Sequence, residues 1–169
     1  DKMNNSIFKR KAPSVKLIVF DFDGVFTDNC VYVLENGTEA VSCWRGDGIG
    51  LSNVRQLKIP MLVVSTEKNP VVGQRCKKLK IECIQGCDDK LKVLKQLVDT
   101  YQCTLNDVLY MGNDINDLDC LSAVGLPVVV ADAHPDVIPL SKYITRANGG
   151  MGAVREVCDL IYDNYHIDR

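Results

Sequence analysis

VKLIVFDFDGVFTD, residues 15–28, is the stretch on which the reading of the fold turns. Its first six residues form a short apolar run rich in branched side chains, the pattern of a strand buried on both faces of a parallel sheet. Two carboxylates, Asp21 and Asp23, follow at once, and Gly24 lets the backbone turn tightly beside them. In open parallel sheets ligands bind beyond the carboxyl ends of the strands, so polar residues there carry more weight than polar residues elsewhere. One carboxylate so placed can attack phosphorus and bind a metal, while the other gives and takes protons.

Downstream the chain alternates. CVYVLENGTEAVSC (30–43) holds two alternating runs around Asn36-Gly37, a dipeptide that takes positive φ readily, and predicts a β-hairpin. A helix is expected after Asp47, a strand at MLVVS (61–65), a helix from Asn69 to Lys80, a strand near 82–84 and a helix from Asp88 to Tyr101. VLYMG (108–112) predicts a strand, Asp114 to Val124 a helix, VVVA (128–131) a strand, His134 to Leu140 a short helix, and 151–165 a last helix. This alternation predicts an α/β fold, a Rossmann-like doubly wound parallel sheet with helices on both faces. Residues 1–12 show no apolar period and read as a basic linker. Its Lys9-Arg10-Lys11 cluster is either solvated or a nuclear-import fragment. The folded domain is expected over 13–169, with the hairpin as an insert at 29–44.

A chain of 169 residues suits one domain with a sizeable core. A net charge of −2 gives no reason to expect nucleic acid or an anionic membrane as partner. No apolar run reaches the length of a membrane span, and no signal-peptide pattern opens the chain. Its 8 cysteines are scattered without a C-x-x-C pair, and His134 and His166 lie far from the nearest two, Cys83 and Cys87. They read as small apolar fillers in a reducing intracellular compartment rather than as zinc ligands or disulfides. The start at Asp1, without a methionine, predicts a piece of a longer protein.

The remaining strand ends supply further parts. Ser65-Thr66 offers hydroxyls and N–H groups near a helix start, suited to a phosphoryl oxygen or simply to an N-cap. Lys90 opens a helix after Asp88-Asp89, where it can neutralise phosphate charge. GNDIND (112–117) is rich in hard oxygen donors of the kind magnesium requires, more than one N-cap would use.

In order along the chain, DFDGVFTD (21–28), VVSTE (63–67), Lys90 and GNDIND (112–117) resemble the haloacid dehalogenase superfamily of phosphotransferases. The resemblance covers nearly everything after residue 13 and implies that fold, with a hairpin in place of a cap domain. It implies Mg²⁺ as cofactor and Asp21 as phosphoryl acceptor and metal ligand. Asp23 would be the general acid/base, ligating through its main-chain oxygen. Ser65, Thr66 and Lys90 would hold phosphate; Asn113 and Asp114 would complete the metal shell, with Asp117 behind them. PVVVADAHPDVIPLSKYITRANGGMGAVREVCDLI (127–161) is similar to the cap-less phosphatases of 2-keto-3-deoxy sugar-acid phosphates, which implies a sugar-acid phosphate ligand and a homotetramer formed partly through the hairpin 30–43.

Two positions depart from that pattern. Asn113 stands where an aspartate is usual, which implies weaker metal binding. Ser65-Thr66-Glu67 replaces Thr-Gly-Arg, and Glu67 with Lys78 is similar to the branch acting on nonulosonate 9-phosphates; an ordinary surface ion pair is the alternative. The stretch with its basic leader also resembles the C-terminal modules of animal CMP-N-acylneuraminate synthetases, which are cytidylyltransferases. That implies a sialic-acid-activating parent, a nuclear location, and a module with weak or regulatory phosphatase activity that promotes assembly. A fully active sugar-acid phosphatase is the other reading.

Overall fold

The computed structural model describes residues 2–165; Asp1 and 166–169, including His166 and the last positions of the expected domain, lie outside it. Six parallel strands form the sheet: β1 (Leu17–Phe20), β4 (Met61–Val64), β5 (Glu82–Ile84), β6 (Val108–Gly112), β7 (Leu126–Val129) and β8 (Tyr143–Ile144). Their order is β5-β4-β1-β6-β7-β8. The chain winds outward from β1 through β4 to β5, then returns past β1 to build β6, β7 and β8. The strand order therefore reverses beside β1, and the crevice of a doubly wound sheet opens at that point. Leu17, Ile18, Val19 and Phe20 are all buried, as a central strand covered on both faces requires.

Helices α2 (Asp47–Gln56), α3 (Pro70–Leu79), α4 (Lys90–Thr100), α5 (Leu118–Ala123) and α6 (Ala153–Asn164) cover the sheet. α2 packs along α6, and Arg55 Nη2 donates to the Leu79 carbonyl at the end of α3 at 3.0 Å. α4 and α5 pack together. The helix starts follow from their caps: Asn69 Oδ1 accepts the Val71 N–H before Pro70-initiated α3, and Asp89 Oδ1 accepts the Lys92 N–H before α4.

The hairpin insert is present but slight. β2 (Tyr32–Val33) pairs antiparallel with β3 (Glu39–Ala40), Gly37 takes φ +82° at the turn, and a Thr27–Cys43 bridge closes the base. No cap domain occurs among the described residues.

Several elements differ from expectation. Residues 2–11, read as a linker, form helix α1 (Lys2–Lys11). Phe8 is fully buried there, its ring 5.0 Å from that of Tyr143, and burying such a side chain contributes about 1.5–3 kcal/mol. A single buried aromatic leaves no period to detect. The strand expected at 128–131 is shifted to 126–129, with Pro127 opposite Tyr110. The helix expected at 134–140 is only a 3₁₀ turn at Ile138–Leu140. Likewise 114–124 divides into a 3₁₀ turn at Ile115–Asp117 and α5. The two-residue strand β8 is too short to show a pattern.

Candidate active site

β1 and β6 lie side by side, and the Asp21 N–H donates to the Met111 carbonyl at 2.9 Å. The aspartate loop is thus anchored beside the loop that follows β6. Asp21 is buried; its Oδ1 accepts the Phe22 N–H at 2.7 Å and Lys90 Nζ at 2.7 Å. Lys90 is the first residue of α4 and only 4% exposed. A buried ammonium must be paired, and here two carboxylates do it, Asp21 and Asp117 (2.9 Å).

Asp117 joins the parts. It is 0% exposed. Its Oδ1 accepts from Lys90 Nζ and from the Tyr110 hydroxyl at 2.6 Å, while Oδ2 accepts the N–H groups of Asn113 (2.9 Å) and Asp114 (3.3 Å). One carboxylate therefore ties the cation to the backbone of the 112–117 loop. On the loop's other side the Asn113 carbonyl accepts the His134 N–H at 2.8 Å. The Asn113 amide lies directly over Gly24, where a Cβ would overlap it, and Gly24 has φ +78°. Both facts demand glycine.

Burial, and then the Asp117 charge, push the Asp21 carboxyl up to about 7, against the pull of Lys90. Asp23, half-buried, is raised by burial first, then by Glu67 and Glu39, with Lys90 opposing. Burial alone would lower Lys90; Asp21 and Asp117 outweigh it and hold the ammonium above its ordinary range. The crevice is electronegative, with one deeply buried cation fixed at its floor.

Asp21, Asp23, Thr66, Asn113, Asp114 and Asn116 line a polar cavity of about 90 Å³. Oxygen donors dominate this lining and neither sulfur nor imidazole enters it, a donor set that suits Mg²⁺. Among the described residues no group of three or more His, Cys, Asp or Glu side chains is placed to hold a metal. A magnesium shell here would thus draw on the Asn113 amide oxygen and the Asp23 main-chain carbonyl as well as on Asp21 and Asp114. Ser65 lies buried just behind; its Oγ accepts the Glu67 N–H at 3.1 Å, and its carbonyl accepts from Cys87 N–H (3.2 Å) and Sγ (3.3 Å).

Two expected substrate residues are placed differently from each other. Glu67 is near enough to raise Asp23, but its Oε1 folds back to accept the N–H groups of Lys68 (2.7 Å) and Asn69 (2.8 Å). Lys78 is not brought to the site. It is exposed in the last turn of α3, a helix that starts at the site and runs away from it, roughly 12 Å along the axis from Pro70. The proposed Glu67–Lys78 pairing is therefore corrected. Sequence reasoning missed Tyr110 and Asn29, and it gave Asn116 only as one oxygen donor of the 112–117 loop. Tyr110 reads as one more apolar strand residue, whereas Asn29 and Asn116 sit beside named motif positions and line the same cavity.

Residues 67–157 match the family model for haloacid dehalogenase-like hydrolases. The 3-deoxy-D-manno-octulosonate 8-phosphate phosphatase of Yersinia pestis is 37% identical over 153 residues, covering 90% of this chain and 82% of its own. That of Escherichia coli K12 is 38% identical, covering 89% and 81%. The Moraxella catarrhalis enzyme, solved with magnesium ion, phosphate ion and KDO, superposes with a TM-score of 0.89 at 35% identity, covering 95% of this chain and 92% of its own. The chain belongs to the haloacid dehalogenase-like hydrolases. The three relatives just described are phosphatases of a sugar-acid phosphate, the Moraxella structure holds the expected metal, magnesium, and the doubly wound fold is the expected one.

Two expectations change accordingly. None of these relatives is a cytidylyltransferase, so the phosphatase reading is favoured over a regulatory module of a synthetase. The nuclear location is overturned, because these relatives belong to bacteria, which have no nucleus. No described helix is long and apolar enough to cross a membrane.

Proposed function

We propose that this chain is a Mg²⁺-dependent phosphatase acting on the phosphate ester of a 2-keto-3-deoxy sugar acid. The observation that carries the proposal is the Asp21–Lys90–Asp117 constellation at the point where the strand order reverses, with Asp23 beside it. The Asp21 carboxylate attacks phosphorus as the P–O ester bond breaks, and Asp23 delivers its proton to the leaving alkoxide. Asp23 then takes a proton from a water molecule whose oxygen attacks the phosphoryl group, releasing phosphate and restoring Asp21. A raised proton affinity at Asp23 suits the first of these steps. Lys90, fixed by two carboxylates, holds a phosphoryl oxygen together with the Thr66 and Ser65 groups. Asp21, the Asp23 carbonyl, Asn113 and Asp114 would hold Mg²⁺, which would supply positive charge to keep Asp21 ionised and offset the phosphoryl oxygens.

The finer substrate assignment is a nonulosonate 9-phosphate rather than an octulosonate 8-phosphate, supported by Glu67 standing near Asp23 where an Arg would favour a substrate carboxylate. Assembly as a homotetramer through hairpin 30–43 completes the proposal, supported by its exposed Val31, Tyr32, Val33 and Leu34. The test is phosphate release from both sugar-acid phosphates, with Mg²⁺ and with EDTA, for wild type and Glu67→Arg. Metal-dependent release is expected, with the preference reversed by the substitution. Release from neither substrate overturns the phosphatase reading; equal rates unmoved by Glu67→Arg overturn the substrate assignment.

A further inference from the structure

A second cavity, about 430 Å³, lies between the hairpin and the start of α3, lined by Gly37, Thr38, Glu39, Asn69, Pro70 and Val71. Only the short loop 65–69 separates it from the phosphate end of the crevice, because Thr66 lines the catalytic cavity and Asn69 the second one. Glu39 belongs to β3 and reaches across: its Oε2 accepts Asn69 Nδ2 at 3.1 Å. The Asn69 side chain is held in turn, since its Oδ1 caps α3 through the Val71 N–H at 3.0 Å. Glu39 is thus a carboxylate pinned in place by a rigid helix start, with Oε1 making no hydrogen bond among the described residues. Its charge also reaches Asp23.

We propose that Glu39 is a specificity residue that reads the hydroxyl groups of the substrate's polyol chain, and that the hairpin cavity accommodates that chain. This deepens the phosphatase reading and rests on it. A carboxylate is an acceptor only, so it binds donors and repels other anions. With Glu39, Glu67 and Asp23 together on this side, a second anionic group of the substrate cannot lie here; hydroxyls can. The phosphate sits over Asp21 and Lys90, the hydroxylated carbons next to the ester pass Glu39, and the substrate's own carboxylate points away from the hairpin.

The test separates this inference from the reading beneath it by measuring binding rather than turnover. Calorimetry in Mg²⁺ would compare a nonulosonate 9-phosphate, the sugar-acid phosphate proposed above, with phenyl phosphate, which has no sugar hydroxyls. Each would be titrated into the Asp21→Asn chain with Glu39 intact, with Glu39→Ala and with Glu39→Gln. Glu39→Ala is expected to weaken the sugar-acid phosphate by about ten- to a hundredfold, the worth of one charged hydrogen bond, and phenyl phosphate by less than about twofold. Glu39→Gln keeps an acceptor without charge and falls between. Equal weakening of both ligands, or of neither, overturns the inference. So does failure of the sugar-acid phosphate to bind more tightly than phenyl phosphate when Glu39 is intact. Wild-type turnover, measured separately, reports on the phosphatase reading alone.

Discussion

The edge between β1 and β6 and the hairpin at 30–43 solve opposite problems. At the sheet edge, buried charges satisfy one another: Lys90 meets Asp21 and Asp117, and Asp117 receives four donors from three segments. In the hairpin, apolar side chains face solvent, with Tyr32 and Val33 both 68% exposed, and two-residue strands hold it. A two-stranded ribbon this small is marginal in water. The first region is completed by its own chain, whereas the second has a face that its own chain leaves uncovered.

Breaking the sheet edge should cost most. Asp21→Asn removes the carboxylate proposed to attack phosphorus and should lower phosphate release by about four orders of magnitude or more, while thermal unfolding stays cooperative. Turnover near the wild-type rate would place the chemistry elsewhere. Lys90→Met leaves two buried carboxylates without a cation, so that one of them must take up a proton. It should cost about 3–5 kcal/mol in urea unfolding, besides activity. A loss below about 1 kcal/mol would mean that the pair is better solvated than its burial indicates.

A smaller effect sharpens the contrast from a buried acid outside the site. Asp47 opens α2; its Oδ1 accepts the Arg155 N–H at 3.0 Å, and its Oδ2 has no hydrogen-bond partner among the described residues. Burial, opposed by that N–H and by Arg75 and Arg155, pushes it up to about 6. The folded state then holds the proton more tightly than the unfolded one. Stability from this group is complete below about pH 4 and is lost as pH rises through about 6. Relative to wild type, Asp47→Asn should gain on the order of 3 kcal/mol between pH 4 and pH 7 in parallel urea titrations. A flat difference would refute the shift. The smallest stability change belongs to the hairpin: Tyr32→Lys with Val33→Lys should alter unfolding by less than about 0.5 kcal/mol yet dissociate the proposed tetramer in light scattering. An unchanged assembly, or a monomeric wild type, would end the hairpin's role in association.

The same contrast explains what was legible in the sequence. Strand β1 and its carboxylates announce themselves because a fully buried strand and a polar strand end are both local patterns. Gly24 was equally legible, although the Asn113 amide above it was not, being distant in sequence. Tyr110 was hidden by its own usefulness: in VLYMG it counts as apolar, and its hydroxyl acquires meaning only when Asp117 folds beneath it. Helix α1 escaped notice because Phe8, packed against Tyr143, makes no repeating apolar pattern. Lys78 was misplaced because spacing along a helix conveys distance but not which end of α3 faces the site.

The Thr27–Cys43 bridge has a consequence of another kind. It clamps the two ends of the insert together, so the sheet below registers only that clamp and not what lies beyond it. Closure entropy grows slowly with loop length, about 0.6 kcal/mol for each doubling, so a longer ornament grafted between those two residues would barely tax the scaffold. The position behaves as a socket: the strand-end carboxylates can be kept while the piece plugged in above them is exchanged.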